Sequence, residues 1–372
     1  MKRYKGTSYQ IAIPRTVDGD GIGKAIYLEL RRLGHRPVFF PLESRVPEGS
    51  DVVFLFGPFG KFLHIPEQFS GLPVNRRPIL AYWNTEGLPD LRIPWNLTAP
   101  FSEARSWLGR LSSHANPRWN ALAKLPPFSL LEARFIRFRY LGDYLYAHQQ
   151  GWLDVFADIS AVYAGNFRKS GIPALVAPFG AYSGWYADLK LDRDIDVLWM
   201  GKRATKRRSQ ALDQVREELR AHGVEVYMVD NIERPFVYGR ERIKLLNRAK
   251  ITLNLLRTWY DENSLRICMA APNRSLVVSE PLLPHVPQYK NGIHYVSTPV
   301  EQMAKTILDY LKHADERQRI IENAYRLLTT QLTFRGSMQK IMDAAILLRT
   351  GWSIRRTLVR EEAHPYLKTV EE

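Results

Sequence analysis

The chain alternates short apolar segments with amphipathic segments, and this alternation occurs in both halves. In the first half the predicted strands are YQIAIP, RPVFFP, DVVFLFG and RPILAYWN, and GIGKAIYLELRRLG is a predicted helix that ends at Gly34. No tight hairpin signal joins these strands. Strands separated by a helix, without hairpins, predict a parallel sheet of the doubly wound α/β type.

The second half repeats this order. Its predicted strands are IDVLWMG, VEVYMVD, KITLNLL, RSLVVSE and HYVS, and its predicted helices are SQALDQVREELRAHG, ERIKLLNRA, SLRICMAA and VEQMAKTILDYLKHAD. Between the halves we expect helices in the aromatic and basic residues 95–150, then strands at DISAVYAG and IPALVAPFG.

A chain of 372 residues is too long for one ordinary core and suits two domains. We expect two Rossmann-like α/β domains that face a central cleft, at residues 1–180 and 181–345. Residues 346–372 are predicted to form a C-terminal helix and tail. One option is that this segment packs against the first domain.

The composition narrows the functional classes. The formal net charge is +15, but the excess of Lys and Arg is spread over both halves, which favours polyanions or an anionic membrane surface only weakly. No zinc-finger spacing, RNP-like strand or homeodomain-type helix accompanies it, so we do not expect nucleic acid as a partner. The only cysteine, Cys268, excludes an intrachain disulfide. The N-terminus lacks a signal peptide and no apolar stretch could span a bilayer, which predicts a cytoplasmic protein, with peripheral membrane contact as an option.

The loop DGDGIGK at residues 18–24 is rich in glycine but matches neither the Walker pattern nor the dinucleotide fingerprint. Two interpretations stay open. Gly19, Gly21 and Gly23 either face the cleft on the acceptor side or form a plain tight turn before a helix.

No metal site is predicted. The pairs Asp18/Asp20 and Asp194/Asp196 are spaced like metal ligands, but the second pair leads into a strand instead of following one. These residues are better explained as turn and strand-end charges. Zinc-type histidine spacing and the hydrolase Ser elbow are both missing from the sequence.

A cluster of cations follows the predicted strand IDVLWMG. The strand ends at Gly201, and the basic residues that follow are Lys202, Arg203, Lys206, Arg207 and Arg208. Ligands of doubly wound folds bind at the carboxyl ends of strands, where these cations would meet a phosphate. Cations at a helix N-terminus oppose the helix dipole, so the cluster favours an anion as ligand. The alternative is a solvated basic helix start.

Further candidates for ligand binding lie near the ends of the predicted strands KITLNLL and RSLVVSE. Glu262 and Arg266 are four residues apart and share a helix face, while Asn263 and Ser264 are N-cap candidates. The alternative for the first two is a surface ion pair. Glu280 ends the strand RSLVVSE, where its carboxylate could accept hydrogen bonds from ribose hydroxyls.

Taken in order, several segments resemble group 1 GT-B glycosyltransferases, specifically the branch typified by spore-coat maturation proteins. In the C-terminal half these segments are APFGAYSGWY, DIDVLWMGKRATKRR, LNRAKITLNLL, ENSLRI and LVVSE. In the first half, YWNTEGLPD is similar to the family's Asn-x-Glu segment, and DVFADISAVYAGN to its domain-closing strand. The resemblance implies a GT-B fold and transfer of a sugar from a nucleotide-diphosphate sugar.

Residue roles follow from the resemblance. It implies Glu262 and Glu86 as the catalytic candidates, with Glu86 reaching the acceptor side from the N-terminal domain. The implied donor-binding residues are Gly201, Lys202, Arg203, Arg207, Asn263, Ser264, Arg266 and Glu280. It further implies a UDP or GDP type of donor, no cofactor, no metal and a retaining outcome; the acceptor is unknown.

The sequence departs from this family at the end of the helix that follows KITLNLL. Related enzymes have a Glu in the helix and Cys-Gly or Ser-Gly at its end, where this chain has Met269 and Asn273-Arg274. An inactive GT-B-like binding protein therefore stays open as an alternative, with EARFIRFRYLGDYLYAHQQGW as a basic, aromatic partner surface. A nucleic-acid-associated protein is the third interpretation.

Overall fold

The computed structural model describes residues 8–16, 21–57, 62–114, 135–261, 264–284 and 289–349. These residues form two compact units. Unit 1 contains residues 8–16, 34–176 and 341–349, and unit 2 contains residues 21–33 and 177–340, each within the described ranges.

Unit 1 is built on a six-stranded sheet in the order β2-β1-β3-β4-β5-β6. All neighbouring strands are parallel, as the missing hairpin signals predicted. The strands are β1 (Gln10–Arg15), β2 (Arg36–Pro41), β3 (Val52–Gly57), β4 (Ile79–Asn84), β5 (Val155–Asp158) and β6 (Ala174–Val176). The central strands β3 and β4 are buried along their whole length, which explains their unbroken apolar sequences.

The helices of unit 1 are α2 (His64–Glu67), α3 (Trp95–His114), α4 (Ile136–Gln149) and α5 (Ala161–Lys169), with a 3₁₀ turn at Val74–Arg76. α3 and α4 approach closely at Gly142 of α4. A Cβ atom on Gly142 would lie 1.9 Å from the carbonyl oxygen of Ser102 in α3. Only glycine fits at this helix crossing.

Unit 2 is built on a five-stranded parallel sheet in the order β11-β10-β9-β7-β8. The strands are β7 (Ile195–Met200), β8 (Val226–Val229), β9 (Ala249–Asn254), β10 (Leu276–Ser279) and β11 (Val296–Ser297). The helices are α1 (Ile22–Arg32), α6 (Lys206–Ala221), α7 (Gly239–Arg248), α8 (Ser264–Ala270), α9 (Val300–Lys312), α10 (Ala314–Arg326) and the start of α11 (Phe334–Arg349), with a 3₁₀ turn at Ala271–Asn273 and a π-helical turn at Leu327–Gln331.

The core of unit 2 lies between the sheet and helices α6, α9 and α10. Val215 of α6, Met303 of α9 and Ile320 of α10 pack with Trp199 and Ile251 of the sheet, and all five are fully buried. This core fixes the sheet edge on which the functional candidates lie.

Helix α1 belongs to unit 2, although it lies between β1 and β2 in sequence. Its buried Glu29 accepts hydrogen bonds from Arg335 at 2.7 Å and from Arg32 at 2.6 Å. Arg32 in turn donates to the hydroxyl of Ser183. The bond from Arg335 joins α1 to the first turn of α11, and the bond to Ser183 joins α1 to the segment that precedes β7.

The structure corrects two predicted elements. DISAVYAG does not form a strand, because β5 ends at Asp158 and α5 begins at Ala161. Ser160 caps that helix by accepting the Tyr163 N–H, a signal that the apolar pattern hid. The predicted long helix VEQMAKTILDYLKHAD ends at Lys312, because His313 has a non-helical ψ of 76°, and α10 then begins at Ala314.

Within the described residues, no helix is both long and apolar enough to cross a membrane.

The α3–α4 crossing predicts opposite effects for two helical glycines. Gly142→Ala should destabilise unit 1 by about 1–3 kcal/mol, because the added methyl overpacks the contact with Ser102. Gly165→Ala in α5 should stabilise by about 0.5–1 kcal/mol, because its Cβ meets nothing within 4 Å. Urea unfolding of both variants measures this. Equal effects of the two substitutions would contradict the close crossing.

Candidate functional site

The predicted cations lie at the carboxyl edge of the second sheet, where the strand order changes direction. From β7 the chain passes to β8 on one side and then to β9 on the other. Parallel α/β sheets bind ligands at such a switch point, because the loops that follow the two strands diverge there. Residues 201–205 follow β7 and residues 255–261 follow β9, so both loops border this position.

Arg266 of α8 lies over this edge. Its guanidinium is 4.4 Å from the ring centre of buried Trp199 and donates to the Asn254 side-chain oxygen at 3.0 Å. Gly201 makes room for it, because a Cβ atom there would be 2.6 Å from Arg266 Nη2. The φ of Gly201 is 141°, a value that also favours glycine. Gly201 thus has a steric role at this edge.

Arg207 and Glu280 form a bidentate ion pair. Arg207 is in the first turn of α6 and Glu280 follows β10, so the pair links the two sides of β9. Glu280 also accepts the backbone N–H of Leu256 at 2.7 Å, and Arg207 donates to the Leu256 carbonyl oxygen at 3.0 Å. The hydrogen bond to Glu280 raises the pKa of Arg207.

Arg203 is held by two carboxylates. Its Nε donates to buried Asp230 at 3.1 Å, and its Nη1 donates to Asp213 of α6 at 2.6 Å. Asp230 also accepts two backbone N–H groups from the loop after β8. Because both carboxylates already bind its guanidinium, Arg203 braces the loop after β7.

Asp261 is a buried anion between two arginines. Arg257 donates to it with two nitrogens, at 2.8 and 3.0 Å, and Arg208 Nη2 lies 3.9 Å away. Arg208 is itself buried, and burial lowers its pKa to about 10. Asp261 therefore neutralises Arg208, which burial removes from water.

Lys202 and Lys206 differ from these arginines. Both are exposed, and neither forms an ion pair with any described residue. The predicted cluster is thus divided into exposed lysines and arginines that the protein's own carboxylates neutralise. The sequence argument that the whole cluster needs an external anion is wrong for Arg203 and Arg208, because Asp230 and Asp261 already neutralise them. The sequence pattern did not predict these two partners.

The edge nevertheless keeps a positive excess among the described residues. The cations are Lys202, Arg203, Lys206, Arg207, Arg208, Arg257 and Arg266, and the anions are Asp213, Asp230, Asp261, Glu280 and Glu301, the last of which acts on Arg207.

The structure brings Gly201, Lys202, Arg203, Arg207, Arg266 and Glu280 to one sheet edge, and Ser264 begins α8 beside them. Gly21 caps α1 with a left-handed φ of 72°, and Gly23 is buried in the first turn of that helix. The predicted residues Gly19, Glu262 and Asn263 lie outside the described residues, as do Asp18 and Asp20.

Glu86 lies in unit 1, in the loop that follows β4. It is half-buried, and its backbone N–H and carbonyl both bond to the side chain of Asn84 at 3.4 and 3.0 Å. Asn84 belongs to a buried polar network with Tyr144 and Asp158 at the carboxyl end of the first sheet. Sequence reasoning missed this network, because its members are far apart in the chain.

The two acidic residues before β7 have structural partners. Asp194 forms a bidentate pair with Arg248, and Asp196 binds Lys250 at 2.5 Å. Both pairs are at the amino end of the strand. Within the described residues, no group of three His, Cys, Asp or Glu side chains could hold a metal ion.

The residues that depart from the resembled family have packing roles. Met269 is buried, and the Asn273 side chain donates to the carbonyl oxygens of Trp185 and Met269. Arg274 has a left-handed φ of 60°, the conformation that a glycine adopts easily. Its guanidinium lies 4.3 Å from the ring centre of Tyr325 and pairs with Glu322, contacts that compensate the backbone strain.

Comparison with known proteins agrees with this architecture. Residues 206–343 match a protein-family model described as glycosyl transferase-like. That span starts at α6 and includes the loop after β9, α8 and β10. A sequence comparison with curated proteins found no significant match.

Solved structures match the chain over most of its length. HepE from Anabaena, crystallised with UDP-glucose, has a TM-score of 0.53 and 11% identity over 90% of this chain and 98% of its own. Sucrose-phosphate synthase from Thermosynechococcus elongatus has a TM-score of 0.53 and 11% identity over 92% of this chain and 100% of its own. A putative UDP-N-acetylglucosamine 2-epimerase from Listeria monocytogenes has a TM-score of 0.51 and 10% identity over 94% of this chain and 98% of its own.

The fold class is therefore confirmed: the chain has two parallel-sheet α/β domains, and its structural neighbours include GT-B glycosyltransferases. The match to the glycosyl transferase-like family model is confined to residues 206–343. The roles of single residues stay predictions.

The buried Asp261 predicts a strong charge effect on stability. Asp261→Asn should destabilise unit 2 by about 3 kcal/mol, because it removes the carboxylate that pairs with buried Arg208. Asp194→Asn is a matched control that breaks the exposed pair with Arg248 and should cost clearly less. Urea unfolding at pH 7 compares the two. A loss for Asp261→Asn no larger than that of the control would refute the buried-anion account.

Proposed function

We propose that the protein is a glycosyltransferase that moves a sugar from a nucleoside-diphosphate sugar to an acceptor. The observation that carries this proposal is the placement of Lys202, Arg207 and Arg266 around the switch point of the second sheet. Two of these cations are fixed by neighbouring side chains, and the third is exposed. A diphosphate has the charge that complements such an edge.

The chemistry asked of this site is electrostatic. As the bond to the sugar breaks, negative charge grows on the departing diphosphate. Arg207 and Arg266 would stabilise that charge with donors that are already oriented, and exposed Lys202 would add a third positive charge, so the proposal requires no metal ion. Glu280 holds Arg207 in place, and the Asn254 side-chain oxygen holds Arg266, before the donor binds.

The donor is proposed to be of the UDP or GDP type. HepE, which shares the fold, was crystallised with UDP-glucose, and this supports a nucleotide sugar as the ligand class. In this proposal unit 1 holds the acceptor, with Glu86 on the acceptor side and Glu262 at the donor sugar. A retaining outcome, a cytoplasmic location and peripheral contact with an anionic membrane complete the proposal, the last in keeping with the net charge of +15.

A second function is favoured by one observation. Met269 is a buried apolar residue at the position where the resembled enzymes have a glutamate. Loss of that carboxylate is consistent with a protein that binds a nucleotide without transferring a sugar. The fold itself does not choose between the two, because it also occurs in a putative epimerase.

A panel of ligands tests the function directly. We expect UDP or GDP, and the corresponding nucleotide sugar, to raise the melting temperature, because a ligand that binds only the folded state stabilises it. Release of nucleoside diphosphate from a nucleotide sugar would then separate transferase or hydrolytic chemistry from binding alone. A protein that no nucleotide stabilises would contradict both functions.

Lys202 offers the cleanest single substitution, because removing it breaks no ion pair among the described residues. Lys202→Ala should weaken UDP or GDP binding about tenfold, the effect expected for one charged hydrogen bond. Lys305→Ala, an exposed lysine in the middle of α9, is the matched control and should leave the affinity unchanged. Isothermal titration calorimetry measures both. Equal affinities in the two variants would remove Lys202 from the site.

A further inference from the structure

We propose that Glu280 is a positioning residue that holds Arg207 for one phosphate of the donor. This inference rests on the proposed function and assigns Glu280 a different role from the ribose contact expected from the sequence. It follows from how the two side chains share their hydrogen-bonding groups.

The carboxylate of Glu280 is largely committed inside the protein. Its side chain is 5% exposed, and it accepts three hydrogen bonds. Two come from Arg207 and one comes from the Leu256 N–H at 2.7 Å. A carboxylate has about four acceptor positions, so one position of Glu280 remains unused by these three bonds. That position is on a side chain that is buried. Two ribose hydroxyls could not both bond to Glu280 without displacing Arg207.

Arg207 has the opposite character. Its side chain is 44% exposed, and its two terminal nitrogens face Glu280. Nη1 also donates to the Leu256 carbonyl oxygen at 3.0 Å, which uses both of its hydrogens. The Nε–H and the second Nη2 hydrogen remain, and no described residue accepts the Nε–H. These two donors form the other edge of the guanidinium fork.

That remaining edge matches a phosphate. A guanidinium presents two parallel N–H groups along its side edge, which suits two oxygens of one phosphate group. Because Glu280 and Leu256 already hold the side chain, little further rotamer freedom is lost when the ligand binds. Glu280 therefore acts on the donor through Arg207 and does not need to touch it.

Removing Arg207 is a poor test, because it leaves the buried carboxylate of Glu280 unpaired. Glu280→Gln is better, since glutamine has the same shape and its amide oxygen can still accept the Leu256 N–H. We expect Glu280→Gln to weaken UDP and pyrophosphate binding about tenfold, through loss of a charge-assisted anchor, and to leave uridine binding unchanged. Calorimetry with the three ligands measures this, and thermal unfolding checks that the variant folds.

A double-mutant cycle separates positioning from direct contact. Lysine at position 207 keeps the charge but cannot bind Glu280 and a phosphate through two edges of one fork. In an Arg207→Lys background, Glu280→Gln should therefore change the UDP affinity less than about threefold, because the two residues act as a unit. Asp194→Asn, which breaks a bidentate pair at the amino end of β7, is the matched control and should leave UDP binding unchanged.

Three outcomes would overturn the positioning role. They are an equal loss of uridine and UDP affinity in Glu280→Gln, no loss of UDP or pyrophosphate affinity, and an undiminished loss in the Arg207→Lys background. Failure of the proposed function looks different. A wild-type protein that binds pyrophosphate in a Glu280-dependent manner, but neither UDP nor GDP, would reject the nucleotide-sugar donor and retain the positioned arginine.

Discussion

The carboxyl edge of the second sheet depends on internal neutralisation of its arginines. Arg208 and Asp261 are both buried, and a buried charge without a partner would cost several kcal/mol. Arg203, Arg207, Arg208 and Arg257 each lie beside a carboxylate, and Arg266 is instead held by the Asn254 side-chain oxygen and the ring of Trp199. The ion pairs that offset the cost of burying these charges also fix the orientation of the guanidinium groups. Stability and binding competence thus have one physical origin in this part of the chain.

Much of the fold could be predicted because it depends on local pattern. Apolar strands and amphipathic helices alternate, and the absence of hairpins predicted two parallel sheets, as observed. The errors occurred at ends of elements that single residues determine. The Ser160 side chain caps α5 within an apolar segment, and the non-helical backbone at His313 ends α9 before the predicted end at Asp315. Neither effect changes the hydrophobic periodicity that sequence reasoning used.

The position of the candidate site could be predicted from the sequence, but the pairing of its side chains could not. Strand ends placed Gly201, Arg207 and Glu280 on one edge, because carboxyl ends of parallel strands meet there. The pairing of Arg207 with Glu280 joins residues 73 positions apart and follows from the order of strands β7, β9 and β10. Trp199 and Asn254, which fix Arg266, were missed because a buried aromatic residue and a strand-end amide are common in any core.

A donor diphosphate at this edge would be visible in a crystal structure of the protein with UDP. We expect a phosphate within hydrogen-bonding distance of Arg207 Nε and Nη2, near Arg266 and Lys202, with the Arg207–Glu280 pair intact. A diphosphate bound away from the carboxyl ends of β7 and β9 would show that this edge is not the donor site.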